Sequence, residues 1–287
     1  MEINYSFIIP HKNCPDLLNR CLDSIPQRED IQIIVVDDNS DDGKKPSVKR
    51  KNVEVVLLDA EHSKGAGRAR NVGLERAKGK YIIFSDSDDF FESSFWGQID
   101  PIMEKNTADI VYFKDRAVDS DTLEPIGTRN RNNKYIDDII QNKVGAEDQI
   151  RFFHIVPWGK VFRGDFLRKS KVQYDEVMAS NDVMFSTKTG HLANSVSVSC
   201  QIMYVVTRRQ GSLVNTKSKE SLRCRYEVAL RQNKYVKSIG KSRYSFNVIT
   251  PILYSARWGA CEIIWYFLML IKYRVNPFSF LTRLVTS

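Results

Sequence analysis

The chain has 287 residues, 42% of them hydrophobic and 27% charged, enough for a large domain with an appendage and unlike a disordered polymer. Its net charge of +8 favours anionic partners, yet the basic residues are scattered apart from one run, "GKKPSVKRK" (43–51). No homeodomain, zinc-finger or RNP-like pattern accompanies them, so no nucleic-acid partner is expected. Cys14, Cys21, Cys200, Cys224 and Cys261 are widely spaced with no C-x-x-C, which argues against a zinc site or a disulfide framework and fits a reducing compartment. The start, "MEINYSFIIPHKN", has too short an apolar core for a signal peptide and reads as a first strand, hence a cytoplasmic start.

In chain order, apolar β-rich runs occur at 5–10, 31–38, 53–59, 80–86 and 108–113. They are continuous rather than alternating, the pattern of strands covered on both faces. Between them, residues 15–26 place Leu17, Leu18, Cys21, Leu22 and Ile25 on one helical stripe, and the Ala- and Arg-rich segment 66–78 predicts a second helix. Repetition of strand and helix predicts an α/β fold, a mostly parallel sheet flanked by helices whose strand C-termini share one edge, where ligands bind. Residues 115–150 read as polar and irregular until helical signal resumes at 146–154. An alternating strand follows at 195–207, then a helical tail from about 220.

The runs end in polar clusters, "PHKN", "DDNSDD", "DAEHSKG" and "DSDD". Side chains two apart on an extended chain point the same way, so Asp86 and Asp88 can converge while Asp89 turns away to orient the turn. Two hard carboxylates at a strand end form a half-built oxygen cage for Mg²⁺ or Mn²⁺, completed by water or phosphate; a solvated acidic turn is the other reading. In "VVDDNSDDG" (35–43), Asp37 and Asp38 could accept from a base or ribose, or simply cap a turn. "GAGRARNVG" (65–73) brings Arg68 and Arg70, suited to phosphate oxygens or to the nearby acids. Neither a dinucleotide fingerprint nor a P-loop is present, because Arg70 replaces the required Gly and Tyr81 the required Ser or Thr.

Taken in order, "FIIPHKN", "IIVVDDNSDDG", "GAGRARNVGLERAKGKYIIFSDSDD", "PWGKVFR" and "NDVMF" resemble the inverting GT-A glycosyltransferases of family 2, the group that makes bacterial surface polysaccharides. The resemblance is dense over 5–95, thinner to about 212, and absent from the tail. It implies a Rossmann-like GT-A catalytic domain over 1–215, with a donor half to about 115 and an acceptor half from 116, and a helical extension over 216–287. It implies a nucleotide-diphospho-sugar donor, UDP-linked by preference, held by Pro10, Asp37, Asp38, Arg70, Asp86 and Arg209. Mn²⁺ or Mg²⁺ would sit on Asp86 and Asp88. Asp182 would be the catalytic base, and Trp158 and Lys160 would meet a saccharide or lipid-linked acceptor.

Two departures stand out. The family often has Glu before the base, where this chain has Asn181, and commonly Pro-x-Tyr-Asn at the first strand, where this chain has Pro10, His11, Lys12 and Asn13. His11 and Lys12 read as a solvent-facing pair, with phosphate contact as the alternative. Trp158 and Phe162 read equally as core, and Arg209 as a surface arginine. Two rival functions stand beside this one. A catalytically degenerate donor-binding module would lack turnover. A D-x-D phosphatase would carry its motif on the first strand rather than the fourth.

In the tail, "WGACEIIWYFLMLI" (258–271) contains Glu262 and falls short of the roughly 20 apolar residues of a membrane span. With Trp258, Trp265 and Tyr266 and with Lys272, Arg274 and Arg283 nearby, it resembles an interfacial helix. The expected place is therefore the cytoplasm, at the inner face of the membrane if the tail binds lipid; a helix packed on the catalytic domain is the alternative.

Overall fold

The apolar runs become strands because both of their faces find cover. The computed structural model describes residues 2–127, 132–208 and 218–279. Among the described residues, β1 (Tyr5–His11), β2 (Ile31–Asp37), β3 (Val53–Leu57), β4 (Tyr81–Phe84), β5 (Phe90–Phe91), β6 (Ile110–Asp119), β7 (Lys160–Arg163) and β8 (Val196–Arg208) form one sheet. Its order is β3-β2-β1-β4-β7-β6-β8-β5. Phe7, Ile9, Ile33, Val35 and Ile83 feed a core on one face, and Ile8, Ile34, Val36, Ile82 and Phe84 a core on the other. Each such side chain, fully buried, contributes about 1.5–3 kcal/mol.

Strands β3, β2, β1 and β4 run parallel, whereas β7 runs antiparallel between β4 and β6 and so returns β6 to the common direction. The C-terminal ends of β1, β2, β4 and β6 therefore share one edge, as strand and helix repetition predicts. Pro10 is tolerated in β1 because the β4 ladder stops at the Ile8–Phe84 pair, leaving no partner for an N–H on that side. The sheet is more mixed than expected, since β5 also pairs antiparallel with β8.

Helices α1 (Pro15–Asp23), α2 (Ala66–Arg76), α3 (Ile99–Glu104), α4 (Asn133–Ile140), α5 (Ala146–Phe153), α6 (Gly164–Ser170) and α7 (Asp182–Leu192) complete this layer. Two readings of the sequence are corrected. β3 is an edge strand with Leu57 57% exposed, so an apolar run there does not mean cover on both faces. Residues 115–150 are not irregular throughout, because β6 continues to Asp119 along β8 and α4 packs Ile136 into the core. Some of the polar residues that disguised them lie outward, as where Lys114 pairs with Asp137 of α4 at 2.6 Å, whereas Asp115 and Asp138 are buried.

The tail forms α8 (Lys219–Ser238), α9 (Ile249–Ser255) and α10 (Ala260–Tyr273). These enclose their own cluster of Tyr226, Leu230, Val248, Ile252, Tyr266 and Leu270. A smaller cluster of Phe152, Val236 and Tyr244 ties α8 to α5. No described helix is long and apolar enough to cross a membrane.

Candidate active site

The acidic turn after β4 is held from below by β8 and α1. The backbone N–H of Asp86 donates to the Tyr204 hydroxyl at 2.8 Å, and the Asp88 carbonyl accepts from Arg20 Nη2 and Thr207 Oγ1, each at 2.8 Å. Asp89 accepts the Thr207 N–H at 2.6 Å and is buried. Asp89 was expected only to orient the turn, and it does anchor β8. One oxygen from each of Asp86, Asp88 and Asp89 nevertheless lies within 4.8 Å of the others. Burial, then the charges of Asp88 and Asp86, push the Asp89 carboxyl well above the usual range. Three crowded carboxyl groups of this kind fit a hard divalent cation.

Arg70 links this turn to the far side of the cleft. It is buried on α2, donates through Nη2 to Asp86 and through Nη1 to Asn181 Oδ1 at 2.7 Å, and lies 5.3 Å from the centre of the Tyr174 ring. Next to it, Asn71 holds the Tyr174 backbone from both sides, at 2.8 and 3.0 Å. Gly67 allows this approach, because a Cβ there would meet the Asp175 carbonyl oxygen at 2.1 Å. One face of α2 thus positions the segment that delivers Asp182 to the start of α7, where the helix dipole favours an anion. Burial raises the Asp182 carboxyl above its ordinary value, Arg70 opposes the shift, and Asp86 adds to it.

Asp38 closes the β2 side. Its Oδ1 accepts the Gly65 N–H at 3.2 Å, and Lys12 Nζ donates to its carbonyl at 3.0 Å. Asp37 stands beside it in sequence but is engaged internally. Its carboxylate takes His11 Nδ1 at 2.7 Å, Ser40 Oγ at 2.5 Å and Ser40 N at 3.0 Å. The structure therefore does not bring Asp37 to a ligand-facing position, and His11 is buried rather than solvent-facing. Lys12 is the half-exposed member of the expected pair.

Two expected acceptor contacts also lie inside. Lys160 is 1% exposed, with Nζ donating to the His154 carbonyl at 2.6 Å and to Ser186 Oγ at 3.1 Å. Burial pushes its ammonium down to about 7. Trp158 is buried against Tyr204, ring centres 5.4 Å apart and nearly parallel, so that face is not open to a sugar. Both residues shape the floor of the cleft. Arg209 lies outside the described residues. Two clefts that share Arg163 and Asp165 open at the opposite edge of the sheet and contain none of these groups.

Sequence reading missed Tyr204, Thr207 and Ser40. Each is an ordinary strand or turn residue by pattern, and only the curl of β8 toward β5 brings the first two under the acidic turn. Asn181 could be seen only as a departure from the family pattern; its bond to Arg70 is a tertiary fact.

Comparison with known proteins bears on the family and the fold. Poly(ribitol-phosphate) beta-glucosyltransferase of Bacillus spizizenii is 29% identical over 216 residues, covering 72% of this chain and 32% of its own. UDP-Glc:alpha-D-GlcNAc-diphosphoundecaprenol beta-1,3-glucosyltransferase WfaP of Escherichia coli is 36% identical over 89 residues, 30% of this chain and 36% of the relative. The chain thus spans about a third of the length of these curated relatives. The crystal structure of Staphylococcus aureus TarS 1-349 in complex with UDP-GlcNAc superposes with a TM-score of 0.65 at 20% identity, covering 90% of this chain and 74% of that one, which shows the GT-A fold. The family model for Glycosyl transferase family 2 matches residues 6–167, more than half of the chain. The phosphatase reading of the D-x-D is thereby set aside, and the chain belongs to glycosyltransferase family 2.

Proposed function

We propose that this chain transfers a sugar, with inversion, from a UDP-sugar to a saccharide or lipid-linked acceptor in the synthesis of a cell-surface polysaccharide. The observation that carries the reading is the Arg70 bridge, which joins the acidic turn after β4 to the Asn181–Asp182 start of α7. It sets a cation-holding group and a candidate base on opposite sides of one cleft. The names of the relatives support the donor and acceptor classes, since they include a UDP-glucose donor, a diphosphoundecaprenol-linked acceptor and a polyol-phosphate polymer.

In this reading Asp38 receives the nucleoside, and Asp86 and Asp88, with Asp89 beside them, would hold Mg²⁺ or Mn²⁺. The cation, when bound, offsets negative charge on the leaving diphosphate. Arg70 orients Asp86 through its hydrogen bond. Asp182 takes the proton from the acceptor hydroxyl as that oxygen attacks the anomeric carbon, and its raised pKa makes it a stronger base than an exposed aspartate. No second carboxylate is placed as a nucleophile, so one displacement inverts the centre. A cytoplasmic position at the inner face of the membrane, with the tail as the contacting part, completes the reading.

The test is a panel of UDP-, GDP- and dTDP-sugars, scored by Mn²⁺-dependent protection against thermal unfolding and by release of nucleotide. Protection by a UDP-sugar, with hydrolysis lost in Asp88→Ala, supports the reading. Protection without any hydrolysis or transfer would establish a donor-binding module instead.

A further inference from the structure

Residues 228–279 contain eight Lys or Arg and a single acid, Glu262, in a chain whose net charge is +8. That one acid is hidden. Glu262 is 1% exposed, with Arg223 Nε and Nη2 each donating to it at 2.6 Å and Lys219 Nζ at 2.7 Å. Helix α10 turns Tyr266 and Leu270 into the tail core. Its other face presents Ile264, Phe267, Leu268 and Ile271, exposed by 56, 50, 52 and 72%, at the i, i+3, i+4, i+7 spacing of one stripe. Leu253 of α9, 72% exposed, adds to the apolar surface of the tail. An exposed stripe of this kind on a folded domain marks a contact surface rather than chance.

Its rim is cationic. Exposed Arg257 precedes α10, its guanidinium 4.5 Å from the Tyr254 ring centre and 5.1 Å from that of Trp258. Exposed Lys272 and Arg274 stand at the other end. The 14 residues of α10 span about 21 Å at 1.5 Å per residue, short of a bilayer core. We propose that the outer face of α10 lies in the plane of an anionic lipid surface. Ile264, Phe267, Leu268 and Ile271 enter the acyl boundary, and Arg257, Lys272 and Arg274 meet lipid phosphates.

A second copy of this chain is the competing occupant, and charge decides against it. Whether two such helices paired parallel or antiparallel, Arg257, Lys272 and Arg274 of one would face the same cations of the other, and the one acid of α9 and α10, Glu262, is buried. Lipid phosphates supply the missing anions. The inference specifies the membrane position in the proposed function, but its test needs no donor or acceptor, so the two can fail separately.

The full chain is co-sedimented with vesicles of phosphatidylcholine alone or mixed with phosphatidylglycerol. Binding is expected only to the mixed vesicles and is expected to fall with salt. Lys272→Gln and Arg274→Gln should each weaken it about five-fold, the equivalent of about 1 kcal/mol per basic residue near the surface. Phe267→Ser with Leu268→Ser should abolish it while leaving the thermal midpoint unchanged, because both residues point outward. Failure of the wild-type chain to bind mixed vesicles would overturn the proposal. So would a concentration-dependent dimer in sedimentation velocity that the double serine variant makes monomeric, which would mark the face as an interface between copies.

Discussion

Lys160→Met gives a quantitative check on the floor of the cleft. The ammonium sits in the interior at 1% exposure, and its hydrogen bonds to the His154 carbonyl and Ser186 do not replace the water it loses. Burial lowers its pKa from 10.5 to about 7. Between those values the unfolded chain holds a proton that the folded chain releases, so folding stability rises with pH across that window. From pH 7 to pH 9.5 the expected gain is on the order of 3 kcal/mol, at 1.36 kcal/mol per pH unit. The thioether of the variant cannot titrate, and subtracting the variant's stability cancels the ionisable groups that do not interact with Lys160, leaving out Asp182 and His154. Urea unfolding of both proteins across this range should therefore show the wild type gaining on the variant as pH rises. A difference that stays flat to within about 0.5 kcal/mol would refute the burial argument and return Lys160 to a solvated position facing the acceptor.

Other outcomes follow from the same contacts. Asp182→Asn should cost ~10²–10⁴ in transfer while leaving Mn²⁺-dependent UDP-sugar binding intact, and unimpaired turnover would remove Asp182 as the base. In the wild type, kcat/KM should rise with pH through a midpoint above the ordinary aspartate range, because burial raises Asp182 and only the ionised form accepts the proton. Asp88→Ala should abolish metal-dependent donor hydrolysis while keeping the turn's bonds to Arg20 and Thr207, which run through the backbone carbonyl. Gly67→Ala should destabilise by about 1–3 kcal/mol as the new methyl meets the Asp175 carbonyl. The same shift should lower transfer, because it moves the segment that carries Asp182; normal stability and activity would show that α2 does not position that segment.

The sequence by itself determined the parallel core and the edge at which ligands meet it. Continuous apolar runs such as 31–37 are stable only between two helical layers, and their polar ends, among them "DSDD" and "DDNS", must then gather at the strand C-termini. It could not assign work to neighbours of the same type. Asp37 and Asp38 are adjacent, chemically identical and both buried, yet His11 and Ser40 engage one and Gly65 and Lys12 the other. Lys160 reads as an acceptor contact until its environment is known, because burial depends on which strand fills the gap between β4 and β6. The outer stripe of α10 is likewise indistinguishable in sequence from its buried stripe, since both are apolar at helical spacing. Only the packing of α8 and α9 decides which side the core covers and which side is left to face a partner.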